Sequence, residues 1–137
     1  MLMLSEPQRD LVRDKGTVLG RGLIGLLFVI SGIGILVDPG STTGFYQSLN
    51  IPMASLLVWV VLILKIVAGG AIIIGKRVGL AAAALIGFTA VATLLAHMDF
   101  SDPMQMTQAL KNLAIIGGLL YLMAYGPGGS NVKMTNS

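Results

Sequence analysis

The chain contains no cysteine, which excludes disulfides, thiolate metal centres, covalent haem attachment and a cysteine nucleophile. It has one histidine, His97, so a single copy holds no multi-histidine metal site. Serine catalysis finds no support either. Ser31 and Ser55 lie in apolar runs, with no second histidine or internal acid to activate them. Neither a catalytic residue nor a metal site is expected, and by itself the chain is not expected to be an enzyme. Charge is also scarce: charged residues make up 11% of the 137, against about 25% in an ordinary soluble domain. Acids are the scarcest, and Glu6, Asp10, Asp14, Asp38, Asp99 and Asp102 are the whole set.

What is present is apolar. Hydrophobic residues form 55% of the chain and the mean hydropathy is +0.85. Four runs are long enough to cross a bilayer as helices, at about 19–37, 53–75, 78–96 and 109–125, and none holds an acid. Asp38-Pro39-Gly40 ends the first, because proline cannot continue a helix. Asn50-Ile51-Pro52 opens the second, with Pro52 suited to a first helical position. The short Lys76-Arg77 connection makes spans two and three antiparallel neighbours. Asp102 reads as an N-cap and Pro103 as the first residue of the fourth helix. The stretch 42–50 reads as one or two interfacial turns, with Phe45 and Tyr46 at headgroup level and Tyr125 at the opposite interface. The first span follows basic residues as a signal peptide would, but it is long and no small-x-small site follows, so it is expected to be retained.

Lysine and arginine set the expected orientation. Arg9, Arg13 and Lys15 precede span one and Arg21 opens it, and Lys76 and Arg77 fill the second connection, whereas the 38–52 loop has no basic residue. Cytoplasmic loops carry the basic excess, so both termini are expected to be cytoplasmic. The expected fold is therefore an all-α integral membrane bundle of four transmembrane helices. It has a basic cytoplasmic segment (1–18), a four-helix domain (19–128) and a flexible tail (129–137). A bacterial-type inner membrane is the expected location. The basic segment, residues 9–21, suits anionic lipid headgroups, and no nucleic-acid partner is expected.

Helices in lipid associate through close packing. Gly22, Gly25, Gly32 and Gly34 offer notches on span one. Ala68 and Gly69 share a helical face with Lys65 on span two. Gly79, Ala83 and Gly87 form a small-residue stripe on span three, and Gly117-Gly118 notches span four. All are read as packing positions.

Lys65 is the residue that demands an explanation. It lies roughly 15–18 Å from either end of its run, close to the middle of a hydrocarbon core about 30 Å thick. A charge there costs on the order of 2.5–3.5 kcal/mol. Three compensations are open: a bond to span carbonyls or to Ser31, Thr89, Thr93 or Tyr121; an acid or cofactor from another subunit; or a small-molecule or proton site. His97 groups with Asp99, Asp102 and Lys111 at the outer end of spans three and four. That group is either a solvated rim or a proton-exchange or quinol-headgroup site.

Several segments in order carry a family resemblance. They are Arg21, then Leu27-Phe28-Val29-Ile30-Ser31-Gly32, Asp38-Pro39-Gly40 to Gly44-Phe45-Tyr46, and Ile51-Pro52. Gly69-Gly70 to Gly75-Lys76-Arg77, Ala92 to His97, Gly117-Gly118 and Gly126-Pro127-Gly128 follow. With these the chain resembles the DoxX family of small four-helix membrane proteins over about 21–128. Members of that family often carry a lysine where this chain has Ile35 and a glutamate where it has Lys65. The resemblance implies an association with membrane redox complexes, in which some members resemble a subunit of a thiosulfate:quinone oxidoreductase. Three functions stay open. The first is a non-catalytic accessory subunit of a larger redox or electron-transport complex. The second is a quinone-interacting subunit of an oxidoreductase, and the third a small oligomeric transporter or proton path using Lys65. Lys65, His97, Arg21 and Tyr121 are the candidate ligand or partner contacts. The expected partners are membrane lipids and either complex subunits or further copies of the chain. The chain is expected to bring no cofactor of its own, with a quinone or a partner subunit's cofactor as the candidates for one.

Overall fold

A computed structural model describes residues 3–129. Every described element is helical. α1 (Glu6–Leu11) opens with a capping box in which the Gln8 amide donates to the Ser5 hydroxyl and the Ser5 amide donates to the Gln8 side chain. A π-helical turn at Val12–Gly16 carries it without a break into α2 (Thr17–Val37). Glu6–Val37 is thus one 32-residue helix, and much of the basic N-terminal segment is an extension of the first span. Asp38 ends α2 and starts α3 (Pro39–Ser48), its carboxylate accepting from the Ser41 amide at 3.1 Å. α3 is longer than the one or two turns read from the sequence, because that cap and Pro39 start it three residues earlier.

α4 (Ala54–Ile74) begins two residues after Pro52 rather than at it. Asn50 and Met53 adopt positive φ, 59° and 55°, so Pro52 closes a turn and the helix starts beyond it. Gly75, at φ 80° and packed against the Arg21 guanidinium, ends α4 with a left-handed residue. Lys76 and Arg77 then turn directly into α5 (Val78–Ala96). α6 (Pro103–Tyr125) starts where the sequence indicates, with the Asp102 carboxylate accepting from the Met104 amide at 3.0 Å.

The four long helices are apolar enough to span a membrane, and 17–28% of each one's most apolar window is buried. Residues such as Leu19, Ile63, Leu80 and Leu94 lie exposed on the outside, the surface a bilayer would cover. α2 and α4 pack backbone to backbone. A Cβ on Gly25 would stand 2.5 Å from the Gly69 carbonyl oxygen, and one on Gly69 would stand 2.9 Å from that of Gly25. Gly32 admits the Ile66 side chain, whose Cγ1 would stand 2.6 Å from a Cβ placed there. Phe28, Ala68, Ile72, Val78, Ala81, Ala82, Leu85, Leu119 and Leu122 form the main core, in the half of the bundle that holds both termini. A smaller cluster of Ile35, Val58 and Leu62 joins α2 and α4 toward α3.

One expected stripe faces the other way. Ala83 and Gly87 are exposed, and a Cβ on Gly87 would meet nothing within 4 Å. The buried face of α5 is Val78, Ala81, Ala82, Leu85 and Thr89, which puts larger side chains into the core than the small-residue face would. Gly117 is likewise in open space, whereas Gly118 receives Ile24 at 3.0 Å.

Candidate functional site

The Lys65 ammonium is held from two neighbouring helices. Its Nζ donates to the Ser31 hydroxyl of α2 at 2.8 Å and lies 5.0 Å from the centre of the Phe88 ring of α5. A hydroxyl acceptor and an aromatic face each stabilise a cation in a dry setting, the ring by about 2 kcal/mol when desolvated. Of the partners the sequence offers, Ser31 is the one in contact. Ile35, one turn further along α2, is buried against Val58 and Leu62. The two positions where the family often shows opposite charges thus hold an apolar side chain and a lysine tied to a hydroxyl.

Lys65 lines a cavity of about 600 Å³ bounded by α2, α4, α5 and α6, with Thr42, Phe45 and Tyr46 of α3 and Leu49 just after it at one end. The helices leave this space because the large core residues concentrate toward the termini. There Arg21, Phe28 and Ile72 close the bundle, whereas α5 and α6 contribute Ala92, Ala96, Gln108 and Asn112 to the other half. Leu27, Phe45, Val91 and Leu95 line the cavity and are exposed, so it is open to the outside rather than sealed.

The polar lining consists mostly of donors and dual donor–acceptors: Ser31, Lys65, Thr89, His97, Gln108, Lys111 and Asn112 among them. Lys111, exposed on α6, lines the same cavity as Lys65. Among the described residues, no Asp or Glu lines the space. The acids near that end have other tasks: Asp38 and Asp102 cap helices, and Asp99 accepts from Ser101 at 3.2 Å. Thr93 donates to the Thr89 carbonyl at 2.7 Å and accepts from Asn112 at 2.9 Å, tying α5 to α6 along one wall. Two buried polar atoms, Thr89 Oγ1 and His97 Nδ1, have no hydrogen-bond partner among the described residues. Burial also raises the Tyr46 hydroxyl above the ordinary tyrosine pKa.

The sequence-derived candidates separate. Lys65 and His97 share the cavity. Tyr121 lies on the outside of α6, 71% exposed and stacked on Tyr125 at 6.0 Å, away from Lys65. Arg21 is buried at the opposite end of the bundle. Its Nε donates to the Ile72 carbonyl at 3.0 Å and its guanidinium to the Pro127 carbonyl at 2.6 Å. It joins α2, α4 and the segment after α6, helped by the Gly129 amide donating to the Thr17 hydroxyl at 3.2 Å. The flexible tail expected at 129–137 falls, from residue 130 on, outside the described residues. Gln108 and Asn112 were not singled out from the sequence. Their signal was present: polar residues at 105, 108 and 112 recur at helical spacing inside an apolar segment. Phe88 carries no comparable mark, and Thr89, which the sequence offers as a partner for Lys65, lines the cavity.

Comparison with known proteins agrees with the architecture. No solved structure matches this chain. Inner membrane protein YqjF of Escherichia coli (strain K12) is 28% identical over 121 residues, covering 88% of this chain and 92% of that protein. With four apolar helices of spanning length, this chain is likewise a multi-pass protein of the inner membrane. The DoxX family model matches residues 16–98, from the start of α2 through α5. Since that match spans more than half of the chain, the protein belongs to the DoxX family.

Proposed function

We propose that the protein is a ligand-holding, non-catalytic subunit of a larger membrane complex of the redox or electron-transport type. The observation that carries this reading is the open cavity of about 600 Å³ around Lys65, a size typical of small-molecule sites. Its lining can bind and orient a ligand. It offers no nucleophile paired with a base, and no group of metal-holding side chains occurs among the described residues. A membrane site equipped to hold but not to convert has its use beside a protein that does the converting. The redox setting rests on the family resemblance. The alternative reading is a quinone-interacting subunit of an oxidoreductase, in which Lys65 and His97 would be the donors facing the carbonyl oxygens of a neutral quinone.

Arg9, Arg13, Lys15, Arg21, Lys76 and Arg77 stand at the end that holds the termini, and Asp38, Asp99 and Asp102 stand at the other. We place the terminal end in the cytoplasm on that asymmetry. A single cysteine introduced at Gln47 of the cysteine-free chain should then react from outside intact cells, and one at Lys76 only after permeabilisation. The opposite pattern reverses the orientation.

The subunit reading is tested by gentle extraction of a tagged copy from its native membrane, with mass spectrometry and a visible spectrum on the same peak. Larger subunits in fixed stoichiometry with haem or flavin absorption are expected. A colourless peak holding this chain alone overturns the reading.

A further inference from the structure

The charge balance of the cavity selects among its occupants. Its two lysines, Lys65 and Lys111, face a space that no carboxylate lines among the described residues. Lys65 is half-buried and Lys111 exposed, and the repulsion between like charges grows as water is excluded from between them. A neutral ligand leaves that repulsion in place, whereas an anion placed between the two ammonium groups is attracted by both. Thr89, 4% exposed, lines the same cavity, and its hydroxyl has no partner among the described residues. The remaining lining is apolar, including Leu27, Val61, Leu95 and Ile115, which a wholly polar ion would leave against water.

We propose that the cavity binds an anionic amphiphile, a single-chain carboxylate or comparable monoanion, with its head held by Lys65 and Lys111 and its chain on the apolar lining. The proposal rests on the ligand-holding part of the reading above and is independent of any redox partner. Ser31 and Phe88 hold the Lys65 ammonium in place, so binding adds little ordering cost at that side chain.

The test uses the full chain in nanodiscs of zwitterionic lipid, with equilibrium binding of labelled octanoate, 1-octanol and octyltrimethylammonium. Empty nanodiscs correct for partition into lipid. Saturable binding of octanoate is expected, with the alcohol about tenfold weaker or more and the cation not binding. Lys65→Met should weaken octanoate about tenfold, the loss of one charge-assisted contact. Ile115→Trp, which fills the space and keeps both lysines, should abolish binding while the protein still elutes as a folded species. Octanol binding as tightly as octanoate overturns the proposal, and so does octanoate binding that Lys65→Met leaves unchanged. If Lys65→Met fails to assemble, Ile115→Trp decides alone: octanoate bound equally well with the space filled overturns the site. Saturable binding of a short-chain quinone without binding of octanoate removes the anion and keeps the ligand-holding reading. Failure of every probe removes both.

Discussion

Replacing Gly25 by alanine tests the backbone contact that joins α2 to α4. The added Cβ would lie 2.5 Å from the Gly69 carbonyl oxygen, 2.6 Å from Ile73 Cγ1 and 3.2 Å from the Ile73 amide nitrogen. Two of those atoms are backbone, so relief requires the helices to separate rather than one side chain to rotate. Forcing extra volume into a packed interface costs about 1–3 kcal/mol. Alanine also gains on glycine in helix propensity by up to about 1 kcal/mol, which would hide part of that cost. Gly87→Ala is the reference that removes the ambiguity. It lies in the middle of α5, a Cβ there meets nothing within 4 Å, and it has the same propensity gain. The difference between the two variants isolates the interface and should be about 1–3 kcal/mol, with Gly25→Ala the less stable. Reversible unfolding in mixed dodecyl maltoside and dodecyl sulfate measures it, with Trp59, the chain's single tryptophan, as the fluorescent probe. Equal stabilities for the two variants would refute the close approach of α2 and α4.

Two further predictions follow from the termini and from α3. Arg21→Met leaves the Pro127 carbonyl without the guanidinium and the Ile72 carbonyl with only the Gly75 amide at 3.2 Å, and should destabilise the bundle by about 1.5–3 kcal/mol in the same unfolding assay. Arg21→Lys should recover only part of that, since an ammonium lacks the fork that reaches two carbonyls at once; full recovery would show that charge alone matters at the site. Tyr46 gives a pH dependence. Its hydroxyl titrates above 10.0 in the folded protein because burial disfavours the phenolate, so above pH 10 the unfolded chain loses this proton first. Stability should therefore fall as pH rises through that window, and Tyr46→Phe should flatten the alkaline slope of the melting temperature. An unchanged slope would mean that other groups set it.

The parts of this fold that follow from lipid exclusion and proline chemistry were legible from the residues alone. Four apolar runs, the Lys76-Arg77 turn and the Asp102-Pro103 start of α6 all stand where the sequence indicates. Rotation of a helix about its axis was not legible. α5 has alanine or glycine on most of its circumference, so spacing does not tell the Gly79-Ala83-Gly87 face from the Val78-Ala81-Ala82-Leu85 face. The difference arises only when a neighbour supplies large side chains to meet one of them. The same limit explains Tyr121 and Phe88. Both are aromatic residues in apolar helices, yet one points outward and the other lies beside Lys65. The depth of Lys65 and its need for compensation were readable. The cavity beside it was not, because it arises where the packing of four helices thins out.

The contact between Arg21 and Pro127 joins residues 106 positions apart. Ribosomes add about 5–20 residues per second, so Arg21 waits roughly 5–20 s for that acceptor to be made. During that interval α2 and α4 can already meet at Gly25 and Gly69, whereas the guanidinium has only the Ile72 carbonyl as a partner. A protein truncated or stalled before Pro127 would present a half-satisfied buried arginine inside an otherwise apolar bundle. Closure of the fold at this end therefore waits on the last described turn, through a contact that has no part in binding.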